Sequence, residues 1–269
     1  FAESKVPYIS AYAIHPDITR AGDYVFRTSF MGEVQGRAGA KLIGEMLGKK
    51  RVAMVTLNND FGKSLATGFK EQAGNFGIEI VAEYEYSIKD REFGPIISKI
   101  KADKPDAIYA SGYFFTAGPM VSQIRAAGLD QPVVGQEGYD SQKFIEIAGG
   151  ASEGVLITTS LDRDSSAAET KDFIKGFAAK AGYPADMVAA SAHTAILVLA
   201  DALKKSGSGD KAALRDAVAK TDLTASTGHI SFNALGEVQK DVQVQIVKNG
   251  NWHHHSVISD AVLLAPPAQ

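Results

Sequence analysis

Apolar and polar positions along the first half of the chain fall into blocks that predict strands and helices in strict turn. Arg51-Val-Ala-Met-Val-Thr-Leu57, Ala107-Ile-Tyr-Ala-Ser111 and Pro132-Val-Val-Gly135 are short apolar runs that read as parallel β-strands, and Glu79–Tyr86 and Val155–Thr159 fit two more. Between them the period lengthens. Phe93, Ile96, Ile97 and Ile100 fall at i, i+3, i+4 and i+7, one face of a helix. Helices also fit Glu33–Leu47, Phe61–Gly74, Ala117–Ala127 and Ser141–Ile147. The resulting order from Arg51 to Thr159 is β, α, β, α, β, α, β, α, β, which predicts a parallel sheet with helices on both faces.

After Leu161 the pattern changes. Asp162–Ser166 is a polar break, and helices are predicted over Ala167–Gly182, around Ile196, Leu199, Ala200 and Leu203, and over Lys211–Thr221, with no strand between them. Ser206-Gly-Ser-Gly-Asp210 separates the last two and offers Ser208 or Asp210 as a helix N-cap. At the end of the chain Val242, Val244 and Ile246 alternate with Gln243, Gln245 and Val247. Asn249-Gly250 then turns the chain into Asn251–Ile258 as a hairpin. A βαβ lobe whose start and final hairpin are separated by a helical block implies a chain that crosses between two lobes more than once.

In an open parallel sheet, ligands bind beyond the carboxyl ends of the strands. Here those ends are followed by Asn58-Asn-Asp-Phe-Gly62, Gly112-Tyr-Phe-Phe115 and Gln136-Glu-Gly138. A carboxylate, Glu137, and an aromatic ring, Tyr113, are thereby offered to one cleft, with Phe61, Phe114 and Phe115 nearby. Such a set suits a ligand ammonium through charge pairing and cation–π attraction. The plainer alternatives are an exposed loop carboxylate and a rim packing residue.

Composition narrows the function. With 269 residues, 45% hydrophobic and 22% charged, the chain has ample material for a core and is not disordered. Its net charge of −3 supplies no basic field for nucleic acid or anionic lipid. Cysteine is absent, which excludes disulfides, zinc–thiolate sites and thiol catalysis. The longest apolar run, around Ala195–Ala202, is broken by Asp201 and falls short of a membrane span.

Three further motifs read as scaffold. Ser206-Gly-Ser-Gly-Asp-Lys211 lacks the spacing of a phosphate loop. His253-His-His255 alternate across a strand and cannot converge on one metal ion. Ser191 and His193 lie two apart on a helix and point different ways, so they form no nucleophile–base pair. No metal site, no cofactor and no enzymatic reaction is expected.

Seven segments in sequence order then carry a resemblance. They are Val6-Pro-Tyr-Ile-Ser10, Pro16-Asp-Ile-Thr19, Val25-Phe-Arg-Thr28, Asn59-Asp-Phe-Gly62, Ala126-Ala-Gly-Leu129, Gly135-Gln-Glu-Gly138 and Glu153-Gly154. Together the chain resembles the leucine/isoleucine/valine-type (type I) periplasmic solute-binding proteins of ABC transporters. The resemblance implies two doubly wound α/β lobes joined by three crossovers and closing on a ligand at the hinge. Lobe 1 would comprise 1–32 and 161–240, and lobe 2 would comprise 33–160 and 241–269. The chain opens without Met, reaches the strand-like Val6–Ser10 at once and enters the family's pattern well inside it. A first lobe short of its opening strands is therefore expected.

By the same resemblance, Tyr12, Ala13 and Ile14 match positions that contact a ligand's α-amino and carboxylate groups. Phe61 matches a pocket tyrosine, Tyr113 a second one, and Glu137 the carboxylate that pairs with the ligand ammonium. Ile14 stands where these proteins usually carry Thr, and Phe61 lacks a hydroxyl, so the site reads as more apolar and aromatic. The implied function is an extracytoplasmic receptor that binds a hydrophobic, branched-chain or aromatic amino acid and delivers it to an ABC transporter permease. The alternative is a ligand-sensing regulatory protein of the same fold, for an amide or an aromatic acid.

Overall fold

The computed structural model describes residues 1–266. The chain opens with β1 (Tyr8–Ser10), α1 (Asp17–Arg20) and β2 (Val25–Arg27). Next come α2 (Gly32–Lys41), prolonged by a π-helical turn over Leu42–Met46, and β3 (Arg51–Leu57). There follow α3 (Asp60–Ala73), β4 (Glu79–Tyr86), α4 (Gly94–Asp103), β5 (Ala107–Ala110), α5 (Phe114–Ala126), β6 (Val133–Gln136), α6 (Gln142–Ala148) and β7 (Leu156–Thr159). After α7 (Ala168–Ala181), α8 (Met187–Ser206) and α9 (Lys211–Ala219) come β8 (Asp222–Ala225), β9 (Gly228–Phe232) and β10 (Val238–Gln239). The hairpin β11 (Val242–Lys248) and β12 (Asn251–Ile258) ends the regular structure.

These elements divide into two units. Unit 2 comprises Gly32–Thr159 and Val242–Ile258 and is built on a seven-stranded sheet of order β4-β3-β5-β6-β7-β11-β12. The first five strands run parallel and the hairpin adds two antiparallel ones. Residues 52–57 of β3 and the whole of β5, β6 and β7 are buried, as expected of strands covered on both faces. The predicted face of α4 is the packed one, with Phe93, Ile97 and Ile100 buried in the core and Ile96 against it.

Unit 1 comprises Phe1–Met31, Ser160–Asp241 and the chain from Ser259. It holds the parallel pair β1–β2 and a three-stranded antiparallel sheet β10-β9-β8. Among the described residues β1 has β2 as its one strand neighbour, so Val6–Ser10 is not enclosed on both sides. The sheet β8–β10 is absent from the predicted elements. Its strands are two to five residues long, too short to show a period.

Helix ends follow local chemistry. Asp186 caps α8 through the Ala189 N–H at 2.8 Å, and Gly207 closes it in the left-handed region at φ 62°. Of the two candidate caps for α9, Asp210 serves, accepting the Ala213 N–H at 2.8 Å, while the Ser208 hydroxyl accepts the Asp210 N–H.

Three expectations need correction. The apolar stripe of α8 named the right element but the wrong face: Ile196 and Leu203 are 62% and 49% exposed. Ala190, Thr194, Ala195, Val198 and Ala202 are buried instead. The same helix, Met187–Ser206, is by length and composition apolar enough to cross a membrane, since Asp201 alone does not interrupt it sufficiently. Third, the chain from Ser259 goes with unit 1 and not with the hairpin. Asp260 accepts the Leu263 N–H at 3.0 Å there, and Leu263 and Leu264 are buried. Positions 267–269 of that expected lobe 2 segment lie outside the described residues.

Candidate functional site

Sheet order decides which strand ends meet. β3, β5 and β6 are neighbours, so their carboxyl ends place residues 58–62, 112–115 and 137–140 side by side. Asn59 is extended, and its Oδ1 accepts the Gly62 N–H at 2.9 Å, which starts α3 with Phe61 in the first turn. Past β5, the Tyr113 N–H donates to Thr116 Oγ1 at 3.1 Å and the Tyr113 carbonyl accepts the Thr116 N–H at 2.9 Å. Thr116 Oγ1 also meets the buried Tyr86 hydroxyl at 3.1 Å, which ties this helix start to β4.

The side chains so placed form an aromatic strip. Phe61 stacks on Tyr113 with centroids 4.9 Å apart and planes 14° from parallel. Tyr113 stacks in turn on Phe115 at 5.6 Å and 15°, and the Arg91 guanidinium sits 5.3 Å from the Phe115 centroid. Burial pushes the Tyr113 phenol pKa up, opposed by a hydrogen bond with the Asn59 side chain, so the ring carries no charge near neutrality.

Glu137 opens a 3₁₀ turn over Glu137–Tyr139 and is 2% exposed, which removes the reading as an exposed loop carboxylate. The turn that carries it is held by Gln136, whose Nε2 donates to the Gly112 carbonyl at 3.1 Å and whose Oε1 accepts the Gly138 N–H at 2.7 Å. The two loops touch backbone to backbone: a β-carbon on Gly138 would lie 2.1 Å from the Gly112 oxygen. The carboxylate and the strip are therefore set by one packed loop pair in unit 2.

Tyr12, Ala13 and Ile14 belong to unit 1. Tyr12 packs against the core cluster formed by Leu161, Phe173, Ala185, Met187 and Ala190. Ile14 is half-buried, and the carbonyl of the exposed Ala13 accepts from Arg27 Nη1 at 3.3 Å and from Ser29 Oγ at 3.4 Å. Arg27 itself is fully buried against Glu237. It sits inside Val25-Phe-Arg-Thr28, a segment used above only for resemblance. An arginine between buried residues of a strand was the available signal.

A family model described as periplasmic binding protein matches residues 1–251. The chain belongs to that family. Within it, the leucine-, isoleucine-, valine-, threonine- and alanine-binding protein of Pseudomonas aeruginosa is 28% identical over 242 residues, 89% of this chain and 64% of that protein. The chain thus spans just under two thirds of that relative's length. Among solved structures, leucine binding protein LivK from Thermotoga maritima MSB8 matches at TM-score 0.85 and 30% identity, over 95% of this chain and 74% of that one. A solute binding protein of an ABC transporter from R. palustris, solved with benzoate, matches at TM-score 0.85 and 28% identity, over 95% and 71%. The fold is thus that of the type I periplasmic binding proteins, a family of solute-binding proteins.

The remaining polar candidates have local partners. His193 Nδ1 lies 3.1 Å from the Ser226 hydroxyl, and its ring stacks on Phe173. Ser191 donates to the Met187 sulfur at 3.1 Å instead of pairing with His193. In β12, a register shift opposite Val244/Gln245 leaves His255 outside the strand pairing that His253 and His254 keep.

Proposed function

We propose that this protein is an extracytoplasmic receptor of an ABC importer that captures a small hydrophobic, branched-chain or aromatic amino acid for delivery to a membrane permease. The observation that carries the reading is the buried Glu137 carboxylate, on a loop packed against the one that bears the Tyr113 strip. A carboxylate in a low-dielectric setting pairs strongly with an ammonium, and flat π faces complement an apolar or aromatic side chain. Glu137 takes the ligand ammonium, and Phe61 and Tyr113 take its side chain. Tyr12, Ala13 and Ile14 are further ligand contacts in this proposal. No bond is made or broken in this reading.

Glu137→Gln keeps the shape and removes the charge. Affinity for leucine or phenylalanine is expected to fall by about 1–3 kcal/mol, the worth of a hydrogen bond to a charged group. Isothermal calorimetry measures it, and undiminished affinity for an ammonium-bearing ligand refutes the assignment. A second reading is an aromatic carboxylate ligand, favoured by the missing hydroxyls at Ile14 and Phe61 and by the benzoate bound to the R. palustris relative. On that reading Glu137→Gln relieves like-charge repulsion, and benzoate binding strengthens.

A thermal-shift panel tests the pocket's character. Phenylalanine and leucine are expected to raise the Tm more than alanine, serine or glucose, because stacking on Tyr113 and Phe61 adds to hydrophobic transfer. Greater stabilisation by alanine or by the sugar would refute the aromatic pocket.

A further inference from the structure

We infer that Arg27 is a positioning residue that holds the 12–14 loop in its ligand-competent shape, an inference that rests on the proposal that this loop contacts the ligand. Residues 11–15 form neither helix nor strand, and a loop that must order on binding weakens affinity by the entropy it loses. Arg27 removes that freedom. All three nitrogens of its planar fork are engaged: Nε donates to Glu237 Oε2 at 2.9 Å, Nη2 donates to Glu237 Oε1, and Nη1 donates to the His15 carbonyl at 2.7 Å and the Ala13 carbonyl at 3.3 Å.

The carboxylate partner is anchored in turn. The Thr19 hydroxyl donates to Glu237 Oε1, and the Glu237 N–H donates to Asn233 Oδ1 at 3.0 Å. The Arg27 N–H donates to the Gly236 carbonyl at 2.9 Å, and Arg27 and Glu237 form a parallel bridge, so β2 is tied to the 233–237 turn. With Arg27 0% exposed and Glu237 2% exposed, water offers no substitute for the bonds between the two charged groups. The carbonyls of Ala13 and His15, on both sides of Ile14, thus hang from a buried ion pair. Lysine cannot replace this fork, because one ammonium cannot reach two carboxylate oxygens and two carbonyls together.

The test uses the full-length protein, with the tightest binder among leucine, isoleucine, valine and phenylalanine as probe. In Arg27→Lys, hydrogen–deuterium exchange at amides 11–18 is expected to quicken about tenfold and probe affinity to fall about tenfold, the scale of a charged hydrogen bond. The control Val198→Ala, in the buried face of α8, lowers Tm while leaving probe affinity and exchange at 11–18 unchanged; a control that moves them equally overturns the positioning role. Unchanged exchange in Arg27→Lys overturns the brace itself. Faster exchange with full affinity overturns the inference through its premise, because the loop is then braced but does not touch the ligand. Should Arg27→Lys fail to fold, Thr19→Val removes one anchor of Glu237 while leaving the ion pair, and is held to the same two readouts with smaller shifts in the same directions.

Discussion

Glu237→Ala is expected to destabilise unit 1 by about 3–5 kcal/mol, because it strands a buried guanidinium. Arg27 is 0% exposed and gives two of its donors to this one carboxylate, and the Thr19 hydroxyl loses its acceptor as well. Removing both charges is expected to cost less than removing one: Arg27→Met with Glu237→Leu leaves no isolated ion, although the Ala13 and His15 carbonyls still lose their donor. Chemical denaturation followed by far-UV circular dichroism measures the loss. The single tryptophan, Trp252, is buried in unit 2 and reports that unit separately by fluorescence. A loss below about 1 kcal/mol for Glu237→Ala, or a double variant less stable than Glu237→Ala, would show that the pair is not the determinant argued here.

Gly138→Ala is expected to cost about 2–3 kcal/mol of stability and to abolish ligand binding, although it adds one methyl group. That carbon would lie 2.1 Å from the Gly112 carbonyl oxygen and 2.9 Å from Gln136 Oε1, so the loop pair that sets Glu137 beside the aromatic strip must spread. Backbone cannot swing aside as a flexible side chain can. Gly74→Ala is the contrasting case, with φ −63° and nothing within 4 Å of the new carbon; it is expected to stabilise by about 0.5–1 kcal/mol through reduced freedom of the unfolded chain. Thermal melts with leucine titrations compare the two. Equal effects would mean that the contact at Gly138 relaxes freely.

Much of unit 2 was legible because its signals are local. The runs at Arg51–Leu57 and Glu79–Tyr86 are strands with those bounds, and the alternation after Val242 with Asn249-Gly250 is the hairpin. Parallel strands buried on both faces need continuous apolar runs, and helices covering them need one apolar face, so each element declares itself within a window of its own length. The residues just past the strand ends could be named for the same reason, since a βα turn follows each strand directly. Unit 1 was less legible. Its strands β1, β2, β8 and β10 are two to four residues long, and α8 buries alanine, serine and threonine while exposing isoleucine and leucine.

The sequence by itself determined the βαβ order, the hairpin, the family, and Phe61, Tyr113 and Glu137 as strand-end residues. The tertiary structure alone decided that the rings of Phe61, Tyr113 and Phe115 stack in one strip and that Glu137 is buried. It alone paired Arg27 with Glu237, 210 residues apart along the chain. It also returned the chain from Ser259 to unit 1. Periodicity records the burial of contiguous residues, whereas a contact between distant segments depends on which elements the sheet order makes neighbours, and no window of sequence contains both partners.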